Sequence, residues 1–283
     1  MVRALIASLA LFLASGEAPA KGTPPQTARV QPATLSTQPS PSLSEDRDAE
    51  QQLLDLANQA RQQAAVAAVQ EDLGLTQAAL LHAQAMASVR QLSHQFSGEP
   101  SLAERLAINT NLHLDRAGEN VAYAATVDRV QAVLMASPPH RENLLNPAYN
   151  VAGIGVVRVG DTVYVAQDFA HGLPSYSAEA SADQAAASLN RLRKQSGFAA
   201  MQRLDSDAAQ TSACAMAKAE SLDLAPPRAR YVIRYTTMQP DSLPVSANRA
   251  VADSALRTYS IGSCYARTRS YRNGVYWVVL LFY

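Results

Sequence analysis

The chain has 283 residues, 48% apolar and 17% charged, which describes a globular protein with material for one large domain or two ordinary ones. A formal net charge of zero excludes the strongly basic balance of a nucleic-acid binder. The charge is uneven: 11 Lys and Arg against 16 Asp and Glu through His171, then 13 against 8 beyond it, which reads as two solvated faces of opposite sign.

Residues 1–20 open with Arg3, run apolar from Ala4 to Ala14 and reach Ala18-Pro19-Ala20, the pattern of a cleaved signal peptide. The run is too short to span a bilayer, and no later segment reads as a transmembrane anchor. Export to a periplasm or beyond is the expectation. Residues 21–48 are dominated by Pro, Ser, Thr and Gln and read as a disordered linker, with order beginning near Ala49.

Leu53, Leu54, Ala57, Ala60 and Ala64 recur at helical spacing. A second helix is predicted over 76–93 with Thr76 as its N-cap, then a loop. A third covers 126–137 and stops at Pro138-Pro139. Residues 151–170 alternate around Gly160-Asp161 as a hairpin. The pattern then repeats. Asn58 and Arg61 match Asn190 and Arg193, Ala85-Met86-Ala87 matches Ala215-Met216-Ala217, and a second hairpin is expected to turn at Asn273-Gly274. Two α/β units are predicted, over 49–171 and 176–283. The only cysteines, Cys214 and Cys264, fall on a helix and a strand of the second unit, so an exported chain should pair them.

All five histidines lie in the first unit. Where its last strand reads Gln167-Asp168, the second unit reads Val279-Leu280. The second unit therefore serves as an internal control, and its loss of these polar residues points to a site in the first. Three pieces carry it: "LSHQF" with His94, "RAGENVA" with Glu119, and "SPPHRENLLNP" with Ser137 and His140.

In these pieces, and in Ala166-Gln167-Asp168-Phe169, the sequence resembles the CAP superfamily, or SCP domain, of cysteine-rich secretory and pathogenesis-related proteins. Its bacterial form runs FSH…GEN…SPGHR…NP…TQDF. The resemblance spans about 49–169; the second unit would be a degenerate copy. It implies an α+β fold, an α-β-α sandwich around a mainly antiparallel sheet, present twice. It further implies a cleft where His94, His140 and Glu119 meet. The second glutamate of the eukaryotic branch falls at or beside Ser137, and Pro139 replaces the usual Gly.

Two roles are open to such a cleft. His94, His140 and Glu119 suit a divalent cation such as Zn²⁺ with positions left for water; without metal, His and Glu serve as acid and base. No G-x-S-x-G or H-E-x-x-H motif is present, which weighs against a hydrolase. The leading expectation is a binding or envelope-interaction module for an unidentified envelope, lipid or protein ligand. A metal-assisted hydrolase of an envelope or host polymer and a lipid or sterol carrier are the alternatives. Gln167 and Asp168 are expected to support the site from behind its lining residues or from an edge strand. Asn120 is expected to fix backbone, His82 to be half-buried, and His113 and His171 to lie in surface loops.

Overall fold

The structure, a computed structural model, describes residues 43–224 and 228–283. The signal-peptide expectation and most of the linker lie outside them. Order begins earlier than expected, with β1 (Ser44–Glu45) and α1 (Arg47–Gln63), because Asp46 caps the helix through Ala49 N and pairs with Arg158 at 2.6 Å. Next come β2 (Gln70–Glu71) and α2 (Leu73–Val89). Asp72, not Thr76, is the α2 N-cap, accepting from Leu75 N at 2.9 Å.

The expected loop contains α3 (Leu102–Asn109), started by a capping box in which Ser101 and Glu104 exchange bonds. Then follow β3 (His113–Ala124) and α4 (Val127–Ala136). Pro138-Pro139 ends α4 as expected but also begins α5 (Pro138–Leu144). Proline is at home in a helix's first turn, where its missing N–H has no partner to lose. The hairpin β4 (Val151–Val159) and β5 (Thr162–Leu173) turns at Gly160, whose φ of +57° suits glycine.

β1, β4, β5 and β3 lie in that order, with β2 pairing parallel to β4 and every other pairing antiparallel. Strand alternation sorts the two faces. Ala152, Ile154, Val156, Val163, Val165 and Phe169 pack under α1, α4 and α5. Val157, Val159, Tyr164 and Ala166 pack under α2. Each fully buried Leu or Val in these layers stabilises by roughly 1.5–3 kcal/mol. Helix α2 lies very close to the sheet: a Cβ on Gly153 would sit 2.0 Å from Thr76 N, and one on Gly155 2.1 Å from Leu80 N.

The second lobe contains α6 (Ala178–Gln195), β6 (Gln202–Arg203), α7 (Asp207–Ala219), β7 (Tyr231–Thr237), α8 (Ala247–Ala252), β8 (Thr258–Ala266) and β9 (Val275–Phe282). Its sheet runs β6-β8-β9-β7, with β6 parallel to β8 as β2 is to β4. Helices α6 and α8 cover one face and α7 the other.

Equivalent polar clamps recur. Arg61, fully buried, donates to the carbonyls of Ala67, Leu144, Asn146 and Tyr149. Arg193 does the same for Ala199, Ala250, Val251 and Asp253. Cys214 on α7 and Cys264 on β8 form a disulfide, stapling helix to sheet. The expected turn at Asn273-Gly274 is the end of a longer connection, residues 267–274, which Gly274 closes with φ +82°. No helix among the described residues is long and apolar enough to cross a membrane.

Candidate functional site: a polar cleft at the sheet edge

Strand β3 is the edge strand, so its side chains reach the helical layers on both faces without a further strand in the way. Glu119 points to the α2–α3 side and Asn120 to the α5 side, as successive residues of a strand must. From the first side, His94 donates from Nδ1 to Glu119 Oε1 at 2.9 Å. From the second, Asn120 donates to the carbonyl of His140 at 3.0 Å, while Asn143 donates to Glu119 O and Asn120 Oδ1, each at 3.2 Å. These bonds seat the "SPPHREN" turn against "GEN".

The His94 side chain is 61% exposed and that of Glu119 only 4%, so a buried carboxylate orients an accessible imidazole. His140 is half-buried. Burial first, then the neighbouring charge of His94, lower its pKa below the ordinary histidine value. His94 and Glu119 thus meet directly, and the backbone of α5 at His140 is tied to Asn120, the next residue of the same strand. Ser137 contributes backbone instead: it ends α4 and starts α5 without a side-chain cap.

Three further residues hold the arrangement, and of these the sequence points only to His82. Arg105, on α3, pairs with Glu119 Oε2 and donates to the carbonyls of His94 at 3.4 Å and Pro100 at 3.2 Å. His82 is fully buried rather than half-buried. It donates from Nε2 to the carbonyl of Ser93 at 2.8 Å, its Nδ1 lies 2.6 Å from Glu99 Oε1, and it stands 3.8 Å from Glu119. Glu99 accepts from Phe96 N at 2.9 Å, closing the loop that bears His94. The signal for Arg105 was the Ser101-x-x-Glu104 capping box, which predicts a helix where a loop was expected.

Gln167 and Asp168 lie on β5, a central strand between β4 and β3, not on an edge strand. Asp168 is opposite Glu119 and fully buried, and neither of its carboxyl oxygens meets a donor. Burial, and after it the Glu119 carboxylate, push its pKa well above the usual carboxylate range. Gln167, across from Asn120, lies 3.3 Å from its amide. His171 is on β5 and pairs with Asp115 at 2.7 Å, and His113 is fully buried against Tyr265 and Tyr276. Neither is the surface-loop residue expected.

The three-ligand cation set His94, His140 and Glu119 does not fit this geometry. One Glu119 oxygen accepts from His94 and the other from the Arg105 guanidinium, so the carboxylate is already neutralised. Among the described residues no group of three or more His, Cys, Asp and Glu is disposed to hold a metal ion.

Residues 54–169 match the model of the CAP family, "Cysteine-rich secretory protein family". No curated protein matches the chain. Among solved structures it is similar to an extracellular SCP-domain protein of Bacillus anthracis, at 29% identity and TM-score 0.39, over 44% of this chain and 41% of that one. It is also similar to a cysteine-rich secretory protein of Staphylococcus aureus, at 20% identity and TM-score 0.37, over 44% and 39%. The chain thus spans less than half the length of either. A third likeness, to an outer surface protein of Borrelia burgdorferi, has 16% identity and TM-score 0.44, over 47% and 99%.

Proposed function

We propose that the protein is an exported binding or envelope-interaction module that uses the first-lobe cleft to recognise its ligand, the second lobe being a degenerate CAP-like copy. The observation that carries this reading is the exposed imidazole of His94, fixed by buried Glu119. Such an arrangement is costly to bury and orient, and a fold has no need of it: the sheet of the second lobe stands without one. The imidazoles suit a ligand with acidic or hydroxyl groups, supplied by envelope glycan, lipid or protein. The signal-peptide pattern at residues 1–20 and the disulfide in the second lobe support export.

The test is binding of the purified chain to separated envelope glycan, lipid and protein fractions, with elemental analysis of the same sample. His94→Ala and His140→Ala should each weaken binding to one fraction at least tenfold, about 1.4 kcal/mol, with unchanged thermal stability. Wild-type binding that both variants retain overturns the reading. Stoichiometric metal lost in both variants would restore the metal-site alternative.

A further inference from the structure

One long loop of the second lobe contributes to the seam where the two lobes meet. In the first lobe, β4 and β5 are joined by a tight turn at Gly160-Asp161. In the second, β8 and β9 are joined by residues 267–274, which carry three arginines. The loop is anchored at home, where Ser270 N donates to Glu220 at 3.2 Å, and reaches across to the first lobe.

Its target is α3. Arg267 donates to the carbonyl of Ala107 at 2.9 Å and to that of Leu112 at 3.0 Å. The first belongs to the last turn of α3, where carbonyls lack intrahelical partners, and the second precedes β3. A cation at this end also complements the helix dipole. Arg272 pairs with Glu104 at 3.0 Å at the opposite end of the same helix. Beside the loop, His113 at the start of β3 packs edge-on against Tyr265 and Tyr276 of β8 and β9, with ring centroids 5.3 and 5.6 Å away.

Helix α3 is the element that bears Arg105. The same guanidinium that pairs with Glu119 also holds the carbonyls of His94 and Pro100. We infer that the second lobe completes the cleft of the first: Arg267, with Arg272 as a weaker aid, positions α3 so that Arg105 holds Glu119 in line with His94. Arg267 is a positioning residue that acts through Arg105. The inference rests on the cleft proposed above, but its readout needs no ligand.

The imidazole tautomer of His94 is that readout. Neutral free imidazole favours the Nε2–H form, whereas donation from Nδ1 to Glu119 requires the Nδ1–H form. Long-range ¹H–¹⁵N spectra of the full chain, recorded where imidazoles are neutral, distinguish the two. Wild type should show His94 as Nδ1–H, and Glu119→Gln should lose that preference. Arg267→Ala should lose it too, with Arg267→Lys recovering part of it. Val278→Ala, in the second-lobe core, should lower stability and leave the tautomer alone. Arg272→Gln is on the exposed rim and folds in any case; it should show a smaller change in the same direction. The inference is overturned if Arg267→Ala, or Arg272→Gln should the first not fold, keeps the wild-type tautomer. If the tautomer responds as stated while no envelope fraction binds, the seam stands and the proposed ligand class does not.

Discussion

In the first lobe, one row across the sheet carries Gly153, Asp168 and Glu119; in the second, the row in the same register carries Ser260, Leu281 and Val232. The row beside it changes from Gln167 and Asn120 to Leu280 and Ile233. Elsewhere the lobes keep their polar groups. Arg61 and Arg193 each gather carbonyls from the same relative places. Asn58 accepts from Val69 N at 2.9 Å, and Asn190 accepts from Met201 N at 3.3 Å. Two polar classes are thereby separated. The Arg and Asn clamps that tie backbone on the first helix of each lobe are retained in both, because a buried unpaired carbonyl is costly wherever it occurs. Groups that line the cleft occur in the first lobe alone, and apolar residues fill their places in the second.

The comparison can be broken most forcefully at the shared clamps. Arg61→Ala and Arg193→Ala each leave several buried carbonyls without donors, so each should cost on the order of 4 kcal/mol or prevent folding of its lobe. Urea unfolding followed by lobe-specific probes checks this; a mild effect in either lobe would remove that clamp from the scaffold class. The disulfide sharpens the contrast, since it belongs to one lobe only. Cys214→Ser with Cys264→Ser should lower second-lobe stability by about 2–4 kcal/mol. Hydrogen exchange should show the opening concentrated in α7 and β8.

A third variant gives the first lobe the row of the second. Asp168→Leu with Glu119→Val and Arg105→Met should be neutral or stabilising by about 1–3 kcal/mol, because apolar residues replace the buried carboxyls together with the buried cation that pairs with Glu119. The sign follows from Asp168: its raised folded pKa means that it opposes folding increasingly as pH rises above its unfolded value. The gain should therefore be larger at pH 7 than at pH 4, measured by thermal melts, while the Nδ1 tautomer of His94 is lost. A large destabilisation would mean that these carboxylates serve the fold.

The smallest expected effect concerns pH. Burial is the main cause that lowers the pKa of His113, and Arg267 adds to it, against the nearby Gly274 backbone and the charge of Asp115. The unfolded chain therefore binds this proton more readily than the folded one. The associated stability is fully present above the ordinary histidine value near 6.5 and falls as pH drops below it. His113→Phe, which suits the slot between Tyr265 and Tyr276, should reduce the fall in melting temperature between pH 7 and 5 by a few degrees.

Much of this was legible in the sequence. The helix and strand periods and the matching positions of Asn58 and Asn190 and of Arg61 and Arg193 each predict their place in the structure. The errors have physical causes. Pro138-Pro139 stops a helix and starts another equally well. His113 looks like a loop residue because its burial comes from the other lobe, over 150 positions away in the chain. The expected match of Gln167-Asp168 to Val279-Leu280 is one residue off, since pairing with β4 and β8 places Leu280-Leu281 there. Arg105 has no motif of its own, and its role appears only when α3 folds onto β3.

The most direct test of the account follows the imidazole signals of His94 and His140 in the full chain while each envelope fraction is added. Both should move together, with one fraction and one apparent affinity, while the Trp277 indole in the second-lobe core stays still. Signals from both imidazoles that ignore every fraction, or a response confined to Trp277 and its lobe, would contradict it.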